Sequence, residues 1–183
     1  MARSLALAAL LAAGAAGAQP ADPALCTACH GPGGNSAAPA IPSIAGQPGT
    51  FLENQLVLIR EGLLVVLPME PVMRGMSDAQ IVALSKHFAA QPVTPAAGPA
   101  KPELVARGGE VSKRALCGTC HLPDYRGQNQ VPRLAGQQEA YLAATMKMYR
   151  DAPAPGRDTQ MSNVLRGIPD ADLAALAHYF AHR

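Results

Sequence analysis

The sequence predicts an all-α fold of two tandem domains, each a small helical unit, and three observations support this prediction. The chain of 183 residues repeats its own motifs at an offset of 90 to 92 residues, which indicates duplicated units. Apolar side chains recur at helical spacing, and no segment has the alternation typical of a strand. A proline-rich segment separates the repeats. We therefore expect two helical domains joined by an extended linker.

The first 18 residues have the composition of a secretory signal peptide. Arg3 precedes the apolar run Leu5 to Ala13, which is too short to span a bilayer. The segment Ala16-Gly17-Ala18 fits a cleavage site for small residues. We predict a signal peptide at residues 1–18 and export of the mature chain. An uncleaved membrane anchor is the alternative.

Residues 92–102 form the predicted linker between an N-terminal domain at residues 19–91 and a C-terminal domain at residues 103–183. Four prolines lie in this linker, and they prevent a regular helix. Each domain is small, so it would bury little apolar surface on its own.

Two helices are predicted in the N-terminal domain from capping motifs and apolar periodicity. Thr50-x-x-Glu53 has the form of a capping box at the start of a helix that ends at Glu61. Ser77-x-x-Gln80 has the same form before Ile81, Leu84 and Phe88, which share one helical face.

The C-terminal domain has counterparts of both helices, from about Gln138 to Arg150 and from Asp170 to the C terminus. A further helix is predicted from Glu103 to Leu116, although Gly108-Gly109 weakens that prediction. The remaining segments are rich in glycine and proline and are predicted to be loops: 31–48, 64–76, 122–137 and 151–168.

The pentad Cys-x-x-Cys-His occurs twice and uses all four cysteines. This spacing is the attachment signature of a c-type haem. The sequence therefore predicts two covalent haems, bound through Cys26, Cys29, Cys117 and Cys120, with His30 and His121 as axial iron ligands. Disulfides or a zinc site are the alternatives for four exported cysteines, but neither needs a histidine directly after both second cysteines.

A pure electron carrier needs a second axial ligand at each iron. Methionines follow the middle helix of both repeats, and alignment of the repeats pairs Met69 with Met161. We predict that these two are the ligands. Met73, which pairs with Leu165, is the rival in the N-terminal domain. Packing is the alternative role for any of these methionines.

A metal-bound histidine usually donates its other ring N–H to an acceptor that fixes the ring. Pro42 and Pro132 follow the pentad histidines at nearly equal distances, so their carbonyls are candidate orienting groups. Plain turn prolines are the alternative. His87, His178 and His182 recur at no equivalent positions, and we interpret them as surface or helix-packing residues.

The net charge of the chain does not indicate a particular class of binding partner. The chain has 15 Lys and Arg and 13 Asp and Glu, which is too balanced to predict binding of nucleic acid or of an anionic membrane.

Taken together, the two pentads, the segments Pro42 to Gln47 and Pro132 to Gln137, and the late methionines resemble the dihaem cytochromes c of the c4 type, over nearly all of residues 22–183. This resemblance implies two class I cytochrome c domains with His/Met ligation at both irons. It implies a periplasmic carrier of single electrons, soluble or peripherally membrane-associated, and not an enzyme. The implied donor is a quinol–cytochrome c reductase or a dehydrogenase, and the implied acceptor is a terminal oxidase.

Two features depart from the family pattern. Only seven residues separate the predicted cleavage site from Cys26, where the family usually has a longer N-terminal helix, so the first domain is expected to be thinly closed there. The run Leu63 to Leu67 is continuously apolar, either to line the haem pocket or to dock a partner.

Two other functions stay open at this stage. The apolar run Leu63 to Leu67 motivates an electron-accepting subunit of a sulfur-oxidising, flavocytochrome-type dehydrogenase. A dihaem peroxidase or thiosulfate dehydrogenase would need an iron with an open or labile position, and the methionines in both halves argue against this.

Overall fold

A computed structural model of the chain describes residues 21–95, 98–152 and 155–183. These residues form α-helices and loops, and the described part of the chain contains no strand beyond one isolated bridge between Gln128 and Val131. The prediction of an all-α fold is confirmed. The helices are α1 (Ala24–His30), α2 (Gly49–Arg60), α3 (Glu70–Met73), α4 (Asp78–Ala89), α5 (Pro102–Arg114), α6 (Cys117–His121), α7 (Glu139–Asp151), α8 (Thr159–Leu165) and α9 (Asp170–Ala181).

The core of the N-terminal half lies where α2 packs against α4. Leu52 and Ile59 of α2 are buried, as are Ile81, Leu84 and Phe88 of α4. Within each helix these residues lie three, four or seven positions apart, which places their side chains on one helical face. The apolar face predicted for α4 is therefore the face that packs.

The C-terminal half is built around α9, which α5 and α7 both contact. The crossing of α5 and α9 is close, because a Cβ atom at Gly108 would lie 2.2 Å from the carbonyl oxygen of Ala175. This close contact explains the first of the two glycines that weakened the helix prediction. Gly108 gives up helix propensity so that the two backbones can approach.

The predicted capping box at Thr50 is wrong. Helix α2 begins one residue earlier, at Gly49, and follows Pro48 without a side-chain cap. Thr50 therefore lies inside the first turn, where its hydroxyl cannot act as an N-cap. The second capping box is confirmed: the Ser77 hydroxyl accepts from the Gln80 N–H at 3.3 Å, and Gln80 Oε1 accepts from the Ser77 N–H at 2.9 Å.

Replacing Ser77 with alanine is expected to lower the free energy of unfolding by about 1 kcal/mol, because the start of α4 loses its cap. Thr50→Ala is the matched control and should change that free energy by only a few tenths of a kcal/mol, within the range of exposed substitutions. Urea denaturation of both holoproteins measures the difference. Equal effects of the two substitutions would contradict the assignment of the cap.

Three segments predicted to be loops contain helical turns. Helix α3 has Pro71 in its first turn, which presets the backbone angle for a helix. Helix α8 is capped by Asp158, whose carboxylate accepts from the Gln160 N–H at 2.7 Å. A 3₁₀ turn spans Pro32–Gly34. Glycine and proline were correct markers of the segments, but local capping still allowed short helices within them.

The two halves differ in whether a helix covers the last helix of the half, and this difference is called their unequal closure. In the C-terminal half, α5 lies across α9. Among the residues that the structure describes, the N-terminal half has only the seven-residue α1 before its first pentad ends, and no helix equivalent to α5 lies across α4. The predicted signal peptide at residues 1–18 lies outside the described residues. Within the described ranges, no helix has both the length and the apolar composition needed to cross a bilayer.

Candidate haem centres

The four thiols lie in pairs on two short helices. Cys26 and Cys29 belong to α1, and Cys117 and Cys120 belong to α6. Residues three apart on a helix share a face, so both thiols of a pair point to the same side. No disulfide joins any of the four cysteines, so both pairs of thiols are available for haem attachment.

Each pentad histidine is buried and held by a carbonyl. His30 Nδ1 lies 2.7 Å from the Pro42 oxygen, and His121 Nδ1 lies 2.8 Å from the Pro132 oxygen. A carbonyl can only accept, so Nδ1 must carry the proton and donate it. The lone pair of Nε2 is then available for a metal.

Burial favours the neutral form of both rings, which is the form that binds iron. Burial lowers the pKa of His30 and of His121, and the hydrogen bonds to Pro42 and Pro132 only partly oppose this effect. The rings are 8% and 5% exposed. Each repeat thus presents one oriented imidazole beside two thiols.

The turn after each histidine is tight, and the two repeats form it with nearly the same backbone angles but with different residues. Gly31 has φ = 78°, and a Cβ atom there would lie 2.2 Å from the Asn35 carbonyl oxygen. The equivalent residue of the second repeat is Leu122, with φ = 69° and ψ = 159°. This region is strained for a residue with a side chain. The sequence carries no signal of this strain, because leucine does not mark a turn with a positive φ angle.

The candidate methionine ligands take similar positions in the two repeats. Met69 lies immediately before α3, and Met161 lies in the first turn of α8. Each is partly buried against the hydrophobic core of its own half. The rival, Met73, is 1% exposed inside the core, and its counterpart Leu165 is 2% exposed. Because leucine has no ligand atom, this shared position is explained by packing.

One arginine in each repeat forms hydrogen bonds across the segment that carries the methionine, and so joins the two ends of that segment. Arg60 donates to the Met76 carbonyl at 2.9 Å and to Asp78 at 2.7 Å. Arg150 donates to the Ile168 carbonyl at 2.6 Å and to Asp170 at 2.5 Å. The sequence repeat includes these arginines, but their role is evident only in three dimensions. They connect the end of the middle helix to the start of the last one.

The other histidines do not join these centres. His178 is buried, and its Nδ1 lies 2.9 Å from Glu139 while its Nε2 accepts from the Lys101 N–H at 2.8 Å. His182 contacts the carbonyls of His178 and Gly98. His87 is exposed on α4. Their surroundings agree with the predicted surface and packing roles.

The donor set fits a c-type haem in each half. Two thiols on one helical face and a neutral, oriented imidazole directly after them are the groups that such a haem requires. When bound, the haem supplies an iron that gains and loses one electron. The two thiols of each pentad would hold the group covalently, and the carbonyls of Pro42 and Pro132 orient the histidines that would bind its iron.

Comparison with known proteins agrees with this chemistry. The cytochrome c family model matches the chain twice, at residues 14–89 and 105–183. Cytochrome c4 of Pseudomonas aeruginosa is 34% identical over 78% of this chain and 75% of its own length. A thiosulfate dehydrogenase electron acceptor of Thiomonas intermedia is 31% identical over 79% of this chain and 71% of its own.

A solved structure extends the likeness to the whole architecture. The crystal structure of reduced recombinant cytochrome c4 from Pseudomonas stutzeri superposes with a TM-score of 0.80 at 30% identity, covering 87% of this chain and 93% of that one. The chain therefore belongs to the dihaem cytochrome c4 family of electron carriers and has two c-type haems.

Proposed function

We propose that this protein is a periplasmic carrier that passes single electrons from a quinol–cytochrome c reductase or a dehydrogenase toward a terminal oxidase. We further propose that His30 and Met69 ligate one iron and that His121 and Met161 ligate the other. The supporting observation is the repeat itself. Each half places a buried neutral imidazole beside two thiols and a partly buried methionine in the returning segment.

Closed ligation suits a carrier. Methionine opposite histidine raises the haem potential, and an iron with two protein ligands has no position at which a substrate could bind. We expect the same two ligands to remain bound in both oxidation states, so that little rearrangement accompanies each electron. Residues 1–18 supply the predicted export signal.

A potentiometric titration of the purified holoprotein tests the carrier role. We expect two one-electron couples and a weak far-red absorption band in the ferric protein, the mark of iron–sulfur ligation. Rapid binding of carbon monoxide by both reduced haems at neutral pH would contradict closed ligation and with it the carrier role.

A second candidate function has its own support. The relative in Thiomonas intermedia is named as an electron acceptor of thiosulfate dehydrogenase, so the chain is alternatively the electron-accepting partner of a sulfur-oxidising dehydrogenase. Within the apolar run, Leu64 is buried, whereas Leu63, Val65 and Leu67 are 55%, 63% and 71% exposed. An exposed apolar strip of this kind is typical of a surface that meets another protein.

The double variant Val65→Glu and Leu67→Glu tests this second function. We expect it to slow electron transfer from a thiosulfate-oxidising dehydrogenase at least tenfold, because two charges would be desolvated at the contact, while both midpoint potentials stay within error of the wild type. Val164→Glu is the control, since Val164 is 44% exposed in the other half. Equal rates for the double variant and the wild type would contradict docking on this strip. Stopped-flow reduction measures the rates.

A further inference from the structure

Two glutamines cross between the halves and bind backbone in the opposite one. Gln137 Oε1 accepts from the Ser43 N–H at 2.7 Å, and its Nε2 donates to the Ser43 carbonyl at 2.8 Å. Gln47 Oε1 accepts from the Arg133 N–H at 2.9 Å, and its Nε2 donates to the Arg133 carbonyl at 3.0 Å. The exchange is reciprocal, because Gln47 aligns with Gln137 and Ser43 aligns with Arg133 in the repeat.

The bound backbone is the backbone that orients the pentad histidines. The Ser43 N–H and the Pro42 carbonyl belong to one peptide group, and that carbonyl accepts from His30 Nδ1 at 2.7 Å. A continuous chain of two hydrogen bonds therefore runs from Gln137 through this peptide group to His30.

The second repeat has the same chain in the opposite direction. The Arg133 N–H belongs to the peptide group of the Pro132 carbonyl, which accepts from His121 Nδ1 at 2.8 Å. Gln47, in the N-terminal half, thus connects through one peptide group to the histidine of the C-terminal half.

The orientation of both side-chain amides is determined by their partners. A backbone N–H requires the glutamine oxygen, and a backbone carbonyl requires the glutamine NH₂ group. Both glutamines are only 4% exposed, so water does not compete for these bonds. Hydrogen bonds in such surroundings polarise one another.

The electronic consequence has a definite sign. When the peptide N–H donates to a glutamine oxygen, the carbonyl of the same peptide group becomes a stronger acceptor. A stronger acceptor at Nδ1 raises the basicity of the ligating Nε2. A more basic imidazole stabilises the oxidised iron more than the reduced iron, so it lowers the reduction potential.

We propose that Gln47 and Gln137 are positioning residues that each tune the haem of the opposite half through the proline peptide group and the axial histidine. Gln47 acts on the haem at Cys117 and Cys120, and Gln137 acts on the haem at Cys26 and Cys29. This inference rests on the proposed ligation by His30 and His121.

The variants Gln47→Leu and Gln137→Leu test the proposal in the holoprotein. We expect Gln47→Leu to raise the midpoint potential of the C-terminal haem and to shift the His121 Nδ1–H resonance upfield, with the N-terminal couple and the His30 resonance within error of the wild type. Gln137→Leu should show the mirror-image pattern. Proton NMR of protein labelled with ¹⁵N-histidine, followed through stepwise reduction, assigns each couple to its histidine.

A matched control separates tuning from loosening of the contact between the halves. Gln138 is buried, and its Nε2 also crosses to the opposite half, where it donates to the Ser36 carbonyl, but it does not touch either proline peptide group. Gln138→Leu should leave both potentials and both histidine resonances unchanged. Gln47→Glu is the second variant, because its protonated carboxyl group keeps an oxygen acceptor for the Arg133 N–H and an O–H donor for the Arg133 carbonyl. At a pH where this carboxyl group is protonated, it should retain the wild-type potential of the C-terminal haem.

Opposite outcomes are equally clear. Unchanged potentials in both leucine variants, a shift at the haem of the substituted half, or equal shifts in Gln138→Leu would overturn the inference. Its failure is distinct from that of the proposed ligation. If the wild-type His30 and His121 signals lack the ring-current shifts of haem-bound imidazoles, the ligation is wrong. If those shifts are present and the glutamine variants change nothing, only the inference is wrong.

Discussion

Replacing Met161 with alanine is expected to remove the far-red absorption band of one haem and to lower its midpoint potential by a sizeable fraction of the roughly 0.8 V range that axial ligands span. The physical reason is that thioether sulfur favours the reduced iron, and water or hydroxide in its place does not. The same reduced haem should then bind carbon monoxide. Met69→Ala should do the same in the other half.

Spectra of the ferric protein and a potentiometric titration measure this effect. Met73→Leu is the control, because it copies Leu165 at the equivalent buried position and preserves volume. We expect it to leave the band and both couples unchanged. If Met73→Leu abolished the band of one haem while Met69→Ala spared it, Met73 would be the ligand of the N-terminal half.

Gly108→Ala is expected to destabilise the C-terminal half by about 1–3 kcal/mol, the typical cost of overpacking a tight contact. The added Cβ atom would lie 2.2 Å from the Ala175 oxygen and 2.5 Å from Tyr179 Cβ. Both are close to or part of the α9 backbone, so no rotation of a side chain relieves the clash. Helix α5 must move away from α9.

Gly109→Ala is the matched control on the same helix. Its Cβ atom would lie 3.4 Å from the Tyr179 ring, which is ordinary contact, and alanine favours a helix by up to about 1 kcal/mol over glycine. This substitution should be neutral or stabilising. Native-state hydrogen exchange of α9 amides reports on the C-terminal half alone. Equal losses of protection in the two variants would contradict the close crossing.

The sequence was sufficient for features that depend on local chemistry. The pentads, the repeat and the Ser77 cap are each encoded within a few residues, so helices and haem attachment could be predicted from the pattern. Thr50 is not the cap, because helix α2 starts at Gly49, directly after Pro48, and the same sequence pattern is compatible with that start. Met69 and Met161 stay predictions as ligands.

Contacts between distant segments could not be predicted in this way. From the sequence, Gly108 appears only as a residue that weakens a helix. The reason for a glycine there is the close contact with Ala175, which lies far along the chain. Leu122 is strained because it adopts the positive-φ conformation that a glycine, Gly31, adopts in the first repeat. Gln47 and Gln137 were recognised only as parts of a repeated motif, since nothing in one repeat shows that its glutamine binds the other.

From the unequal closure of the two halves in the described residues, we expect the N-terminal half to depend more on its neighbours for folding than the C-terminal half does. In the described part of the chain, the C-terminal half has its own helix across α9. The N-terminal half instead relies on neighbours: Asn35 holds the Pro92 carbonyl and the Thr94 N–H, and the Pro39 carbonyl accepts from the Tyr141 N–H at 3.1 Å. We therefore expect the earlier-synthesised half to reach its full stability only once the linker and the later-synthesised half are in place.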